Sequence, residues 1–216
     1  MIASEGRVVL IPTSFILLIG VFFNFFIENN LIWLCYFNYL TFSFLLFSLY
    51  FFREPNREIV DTPNQMLSPA DGKVVQIIDI EDSEIGSAKQ ISIFLSVFNI
   101  HSQYVPIQSK VLSSEYFPGE YLMAFNHKAS DKNERTSILL QADGKHKYRI
   151  KQIAGFIARR ILNYMNPGET VSKGQRLGFI RFGSRVDIVI PKNKFNIFVK
   201  EGDKVKANQS SIGEFV

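Results

Sequence analysis

With 216 residues, the chain is long enough for one sizeable domain plus an accessory segment and too short for two ordinary domains. Its single cysteine, Cys35, excludes an internal disulfide framework, and its three histidines show no metal-ligand spacing, so we expect no metal site. A formal net charge of +4 weakly favours an anionic partner, such as a phospholipid surface or nucleic acid.

Two apolar segments come first in the chain. Residues 8–27 and 31–52 consist almost entirely of Phe, Leu, Ile and other uncharged residues, and each is close to the length that a helix needs to cross a bilayer. Apolar side chains occupy every face, whereas a helical hairpin buried in a soluble core usually keeps a polar stripe. We therefore expect residues 1–52 to form a membrane-anchoring helical hairpin, either spanning or re-entrant.

The charges around the hairpin predict its orientation. Arg7 precedes the first segment, and Arg53 and Arg57 follow the second, while the connector at residues 28–30 is acidic and polar. Basic residues favour the cytoplasmic side, so both ends of the hairpin are expected there. The remainder of the chain would then lie at the cytoplasmic face of the cell membrane.

A polar linker at residues 53–66 leads into the main domain, residues 67–216. Short runs rich in Val, Ile and Phe alternate there with Asp-Gly and Pro-Gly turn signals, which predicts a mostly β fold, of α+β class with the hairpin counted. Segments 166–180 and 199–215 echo each other in a turn glycine, a Val three residues later and a Leu-Gly or Ile-Gly close. Such turn units are typical of a flattened β sandwich or barrel of the lipoyl type.

The segment RFGSRVDIVIP, residues 181–191, holds the first candidate for chemistry. Gly183 lacks a Cβ and leaves its carbonyl accessible, so the hydroxyl of Ser184 could attack the carbonyl of its own preceding residue. The alternative is a glycine bulge followed by a polar strand residue, which is the commoner role of a lone Gly-Ser pair. An ordinary serine hydrolase is disfavoured, because the second glycine and the helix of its motif are absent.

Two further residues can complete an activation system. Asp71 lies in the turn of SPADGKVV, and His101 follows the apolar segment FLSVFNI. An Asp that orients a His, which then takes a proton from a Ser, is a general arrangement that distant parts of a chain can assemble. In isolation, Asp71 has the features of an ordinary turn residue and His101 those of a strand-end histidine.

Seven motifs together carry a specific resemblance. Behind the apolar hairpin the chain contains, in this order, YFFREPNR, SPADGKV, FLSVFNIHSQYVPIQSKV, YFPGEYLMAF, NER, IAGFIARRI and FGSRVDIVIP. Their order and spacing resemble the phosphatidylserine decarboxylase family in its short, membrane-anchored form. The resemblance covers nearly the whole chain.

The resemblance implies a proenzyme that cuts itself between Gly183 and Ser184 into a large chain, 1–183, and a small chain, 184–216. His101, oriented by Asp71, would activate Ser184, and ester formation, elimination and hydrolysis would convert Ser184 into a pyruvoyl group. This covalent cofactor would form a Schiff base with phosphatidylserine and accept the electrons released with CO2, giving phosphatidylethanolamine. His101 would also deliver the final proton.

Four residues are assigned to substrate binding on the same resemblance. Arg185 would hold the lipid phosphate or carboxylate, with a solvated strand-edge residue as the alternative. Tyr104 stands where many longer family members have a second histidine. Phe117 and Tyr121 lie beside a Pro-Gly turn and would dip into the lipid interface, with core packing as the alternative. The NER motif at residues 133–135 receives no role beyond a structural ion pair or a substrate-side contact.

The expected partners are phosphatidylserine and an anionic membrane, with the two chains of the cut proenzyme held together, and no nucleic acid. A homodimer would suit the family. Two alternatives stay open. One is a decarboxylase of a related serine-headgroup lipid with ether tails, of the archaetidylserine type, since the reacting headgroup is the same. The other is a non-enzymatic, membrane-tethered adaptor with a lipoyl-like domain, in which Ser184 would be replaceable.

Overall fold

The structure is a computed structural model that describes residues 1–26, 32–60, 64–120, 132–155, 161–181 and 183–216. The chain divides into two compact units, Met1–Asn56 and Arg57–Val216. The first unit contains two long helices, and the second contains all the described strands. The predicted mostly β fold behind an apolar helical hairpin is confirmed. The finer boundaries drawn at residues 52 and 66 stay predictions.

Helices α1 (Arg7–Phe26) and α2 (Ile32–Phe51) make up most of the first unit. Both are long and apolar enough to cross a membrane. Very little of either helix is buried within the protein, so most of their Phe, Leu and Ile side chains face outward. An outward apolar surface on two such helices favours lipid over water as their surroundings.

Fourteen strands are described in the second unit, and every pairing between them is antiparallel. They are β1 (Gln65–Leu67), β2 (Gly72–Asp82), β3 (Gly86–Leu95), β4 (Ser102–Tyr104), β5 (Ser109–Phe117), β6 (Arg135–Ala142), β7 (His146–Ala154), β8 (Ile161–Asn163), β9 (Thr170–Val171), β10 (Arg176–Ile180), β11 (Ser184–Pro191), β12 (Phe195–Ile197), β13 (Lys204–Val205) and β14 (Ser211–Phe215). The largest sheet curls into a half-barrel with the order β13-β2-β3-β11-β7-β6-β5-β9. Two three-stranded sheets have the orders β1-β14-β12 and β4-β10-β8.

Strand β11 runs through the middle of the largest sheet, with β3 on one side and β7 on the other. Val186, Ile188 and Ile190 pack into the hydrophobic core, and successive residues of a strand point to opposite faces. Arg185 and Asp187, on the other face, are buried as well. The strand that begins at Ser184 is therefore covered on both faces and paired along both edges.

The two segments that echo each other in sequence occupy equivalent places in the fold. Gly168 and Gly202 both adopt positive φ angles, 91° and 98°, which glycine tolerates without strain. Val171 and Val205, three residues later, are core residues on the short strands β9 and β13. These two strands form the opposite edges of the largest sheet, and β10 and β14, which follow them, are each the central strand of a three-stranded sheet. The echo is thus a structural repeat.

A buried ion pair connects the end of β2 with β7. Arg149 donates to the carboxylate of Asp82 from Nε at 2.8 Å and from Nη2 at 3.0 Å. The backbone N–H groups of Glu84 and Ile85, in the turn after β2, donate to the same carboxylate. Burial disfavours the charged form, but the hydrogen bonds together outweigh it and lower the pKa of Asp82 from its ordinary value.

We expect Asp82→Asn to lower the free energy of unfolding by about 2 kcal/mol at neutral pH, because buried Arg149 loses its charged acceptor. The pKa of Asp82 is lowered in the folded protein, so the stabilisation is present above the ordinary value of about 4 and disappears as the pH falls through the folded value. Denaturant unfolding of the full chain in detergent, followed by circular dichroism across the acid range, measures both effects.

Asp79→Asn is the matched control. Asp79 accepts from Lys89 and Lys192, but all three side chains are substantially exposed, and surface pairs contribute little. If Asp79→Asn lowered the free energy of unfolding as much as Asp82→Asn does, burial would not be the reason that the Asp82–Arg149 pair stabilises the fold.

Candidate active site

Ser184 is the first residue of β11, and its side chain is fully buried. It lies opposite Leu95 of β3 and Ala154 of β7. Its Oγ forms no hydrogen bond within the part of the chain that the structure describes. Leaving a buried hydroxyl unpaired costs about 1–3 kcal/mol. Such a group in a well-paired strand needs an explanation, and a role as a nucleophile would provide one.

Gly183 precedes this hydroxyl in a conformation that other residues rarely adopt. Its φ is +72°, in the left-handed region. A Cβ at this position would meet only Val97 Cγ1, at 3.9 Å, so the backbone conformation rather than lack of space requires glycine. The sequence prediction that Gly183 has a special backbone geometry at the start of a strand agrees with this φ angle.

His101 contacts the same peptide from the connection between β3 and β4. The N–H of Gly183 donates to His101 Nε2 at 3.1 Å, and His101 Nδ1 lies 2.9 Å from the carbonyl oxygen of Asn99. A backbone N–H can only donate and a carbonyl can only accept, so Nε2 carries the lone pair and Nδ1 the proton. The fully buried ring is therefore neutral, with its basic nitrogen directed at the Gly183–Ser184 segment.

Two buried amides fix the backbone of His101. Gln103 Nε2 donates to the His101 carbonyl at 2.7 Å, and Gln152 Nε2 donates to Gln103 Oε1 at 2.9 Å. Both glutamines are fully buried, and Gln152 belongs to β7, the strand beside Ser184. Sequence reasoning missed both residues, because nothing in the mixed polar and apolar segment after His101 distinguishes Gln103 from its polar neighbours.

Asp71 is placed in a cluster with Arg57. The guanidinium of Arg57 donates to both carboxylate oxygens, with Nη2 at 2.8 Å from Oδ2, and the N–H of Ala207 donates to Oδ1 at 2.9 Å. The hydrogen bond to Asp71 is the largest cause that raises the pKa of Arg57, burial opposes it, and Tyr104 adds a smaller electrostatic contribution in the same direction. The role of Asp71 in orienting His101 stays a prediction.

Arg185 is buried inside the large sheet, with only 1% of its surface exposed. Its Nε donates to Asp187 at 2.6 Å, and its Nη2 donates to Ser92 Oγ at 2.6 Å and to Gln76 Oε1 at 3.2 Å. The alternative of a solvated strand-edge residue is therefore wrong, because β11 is central and covered on both faces. A substrate contact from Arg185 stays a prediction.

The aromatic candidates lie at two other places. Tyr104 is half-buried on β4, where its backbone N–H donates to Pro69, near the Arg57 cluster. Phe117 ends β5, with the guanidinium of Arg135 4.7 Å from the centre of its ring. Tyr121 lies outside the described residues. Substrate binding by these three residues stays a prediction.

The NER motif, residues 133–135, has a structural role that the sequence did not reveal. The side chain of Asn133, fully buried, donates from Nδ2 to the carbonyl of Ala154 at 2.8 Å, and the N–H of Ala154 donates to the Glu134 carbonyl at 2.9 Å. Ala154 is the residue opposite Ser184. The motif therefore anchors the strand end that flanks Ser184.

Among the described residues, no group of three or more His, Cys, Asp or Glu side chains is arranged to hold a metal ion. The chemistry that the site can perform rests on a buried hydroxyl, a neutral imidazole and a glycine peptide. A hydroxyl that a basic imidazole nitrogen deprotonates can become a nucleophile, and the peptide carbonyl adjacent to Ser184 in the chain is that of Gly183.

Comparisons with known proteins identify the class. Residues 44–213 match the model of the phosphatidylserine decarboxylase family. The chain is 46% identical over 176 residues to "Phosphatidylserine decarboxylase proenzyme" of Chlorobium chlorochromatii, an alignment that covers 80% of this chain and 81% of the relative. Proteins of the same name are 42% identical in Desulfotalea psychrophila, over 82% of this chain and 85% of the relative, and 45% identical in Burkholderia pseudomallei, over 79% of each.

The site and these comparisons together define a decarboxylase of the lyase class. The chain belongs to the phosphatidylserine decarboxylase family. The resemblance predicted from the ordered motifs is thereby confirmed. Membership of an enzyme family also overturns the alternative of a non-enzymatic adaptor.

We expect Gln103→Leu to lower the decarboxylase activity of the folded protein by about tenfold. The His101 carbonyl would lose a hydrogen bond between uncharged groups, worth about 1 kcal/mol, and Gln152 would lose its acceptor. Gln90→Leu is the matched control, because Gln90 is also buried and, among the described residues, its side chain bonds only to Ser92, on β3. Activity per unit of folded protein, with folding measured by circular dichroism, separates the two. Equal losses in both variants would contradict a positioning role for Gln103.

Proposed function

We propose that this chain is the proenzyme of a phosphatidylserine decarboxylase that cuts itself between Gly183 and Ser184 and converts Ser184 into a pyruvoyl group. The observation that carries the proposal is the fully buried, unpaired Oγ of Ser184 beside a glycine at φ +72°, whose N–H contacts the basic nitrogen of His101 at 3.1 Å. The relatives' shared designation as proenzymes supports it.

The self-cleavage can be written from these three residues. His101 Nε2 accepts the proton of the Ser184 hydroxyl, whose Oγ attacks the Gly183 carbonyl carbon. The protonated imidazole then returns this proton to the Ser184 nitrogen as the C–N bond breaks, giving an ester and a free Ser184 amine. Loss of the Ser184 α proton then expels the Gly183 carboxylate and leaves dehydroalanine at residue 184. Addition of water with release of ammonia gives the pyruvoyl group at the new N-terminus.

His101 must exchange one hydrogen bond to begin this sequence. Its Nε2 accepts from the Gly183 N–H, and the same lone pair has to accept from Ser184 Oγ, one residue further along the chain. The proton on Nδ1 is held by the Asn99 carbonyl throughout, so the ring enters the reaction in the tautomer that a base needs. Asp71, through its buried charge, is proposed to assist His101.

Residue 184 suits a pyruvoyl group. The cut would remove only the peptide before β11, and the strand from Arg185 onward would keep its pairing with β3 and β7. When formed, the group supplies an electrophilic carbonyl that takes up the electrons released with CO2. His101 contacts the preceding residue, Gly183, and is proposed to return the proton that completes the product.

The proposed substrate is phosphatidylserine, and the proposed location is the cytoplasmic face of an anionic cell membrane. Two apolar helices supply an anchor, and Arg7 and Arg53 at its outer ends support the cytoplasmic orientation. Substrate and product are both bilayer lipids, so an enzyme tethered beside the bilayer meets them without extracting them into water.

We expect Ser184→Ala to leave a single uncut polypeptide of 24.8 kDa with no decarboxylase activity, because the nucleophile is absent. The wild-type chain should separate under denaturing conditions into fragments 1–183 and 184–216, the smaller one with a carbonyl-reactive N-terminus. Intact-mass analysis and labelling with a hydrazide measure both. An uncut wild-type chain that decarboxylates the lipid would contradict the proposal.

Ser211→Ala is the matched control for this variant. The Oγ of Ser211 is also buried and unpaired, but it lies on β14 in a different sheet. Removing it should leave cleavage unchanged. Loss of cleavage in both variants would point to general disruption of the fold.

We expect His101→Gln to slow self-cleavage by at least about a hundredfold, because the glutamine amide can accept the Gly183 N–H but cannot take a proton from Ser184. Pulse-labelling followed by denaturing electrophoresis gives the rate. His146→Gln is the control, since His146 stacks on Phe215, with ring centres 4.8 Å apart, and belongs to a different part of the unit. Normal cleavage in His101→Gln would exclude His101 as the base.

A further inference from the structure

Arg181 carries a positive charge that no described residue balances. It lies between the end of β10 and the proposed cut, and it forms no hydrogen bond or ion pair with any described residue. Its Nε is buried without a partner. By contrast, Arg57 is paired with Asp71 and Arg185 with Asp187. A buried guanidinium nitrogen without an acceptor is costly, so an anion that reached Arg181 would gain a hydrogen bond from a donor that has already lost its water.

The position of Arg181 ties it to the reacting residue. The N–H of the neighbouring residue, Ile180, donates to the His101 carbonyl at 3.4 Å. This bond fixes the backbone next to Arg181 against His101, the proposed base. Gly183 is two residues further on, so the two Cα atoms are within about 8 Å of each other. An arginine side chain can therefore reach a ligand that is bound at residue 184.

The chemistry of the substrate decides which anion Arg181 binds. A serine phospholipid headgroup has two anions, a carboxylate that departs as CO2 and a phosphodiester that is unchanged. A cation on the carboxylate would stabilise the charge that the reaction must remove, and so would favour the ground state over the transition state. A cation on the phosphodiester binds both states equally and does not oppose the reaction. The phosphorus is only four bonds from the amine that must reach residue 184.

We propose that Arg181 binds the phosphodiester of the substrate headgroup, by the forked donor geometry that suits phosphate oxygens. The proposal rests on the proposed function and adds to it the residue that recognises the phosphate. In this arrangement Arg181 contributes to substrate binding and not to the breaking of the carbon–carbon bond, so its loss should raise KM and leave kcat nearly unchanged.

The test uses the full-length chain in detergent micelles, with phosphatidylserine and a long-chain O-alkyl serine that has the same amine and carboxylate but no phosphate. For Arg181→Gln we expect normal self-cleavage and a rise in KM for phosphatidylserine of about ten- to hundredfold, the equivalent of one lost charge-assisted contact. KM for the phosphate-free substrate should not change. Glycerol phosphate should inhibit the wild type and not the variant.

Lys151→Gln is the matched control, because it removes one positive charge from a half-buried residue of β7 that forms no ion pair with the described residues. Its kinetics should equal those of the wild type. Arg181→Lys keeps the charge but loses the fork, and should raise KM for phosphatidylserine several-fold. If Arg181→Gln does not fold or is not cut, the KM of Arg181→Lys for phosphatidylserine tests the assignment instead.

Three results would overturn the assignment. They are an unchanged KM for phosphatidylserine, an equal rise in KM for both substrates, or a loss confined to kcat. An equal rise would indicate that Arg181 pairs with the Gly183 carboxylate created by the cut. A wild-type chain that stays uncut and inactive would refute the proposed function itself, whereas a cut and active wild type with an unaffected Arg181→Gln variant would refute only the role of Arg181.

Discussion

The hydrogen bond from the Gly183 N–H to His101 Nε2 is the contact on which the site depends. It joins residues far apart in sequence, and it exists because two sheets meet there. Strand β11 starts in the large sheet, while His101 begins the segment that pairs with β10 in a small one. The small sheet β4-β10-β8 adds Leu177 and Ile180 to the hydrophobic core, and it also brings an imidazole to the glycine that precedes a central strand.

Three arginines of this unit are each balanced locally by one carboxylate. Asp71 holds Arg57, Asp82 holds Arg149 and Asp187 holds Arg185. Asp71 and Asp82 each accept two hydrogen bonds from their arginine, and Asp187 accepts one from Arg185 Nε. These bonds offset the cost of removing both charges from water. His101 contacts a neutral group at each ring nitrogen, the Asn99 carbonyl at Nδ1 and the Gly183 N–H at Nε2, which favours the uncharged form that a base requires.

The sequence was sufficient for the fold class, the hairpin and the family, because each depends on long patterns or on several ordered motifs. It could also predict that Ser184 and His101 belong to one site. The alternation of β11 was less informative: a strand with polar Arg185 and Asp187 on one face looks half-exposed, yet both faces are covered. The contacts of Gln103, Asn133 and Arg57 depend on which strands become neighbours, and a single sequence does not encode that in any local pattern.

The central position of β11 determines how firmly the two chains of a cut protein would stay together. A break before Ser184 would leave three strands of the small chain paired with strands of the large chain. The pairs are β11 with β3 and β7, β13 with β2, and β14 with β1. Such a fragment could leave only if both sheets came apart. Reassembly would then require two separate chains to meet and pair their strands again. The stability of the cut protein would therefore be kinetic, set by how slowly it unfolds. The chain would fold only once, before it is cut.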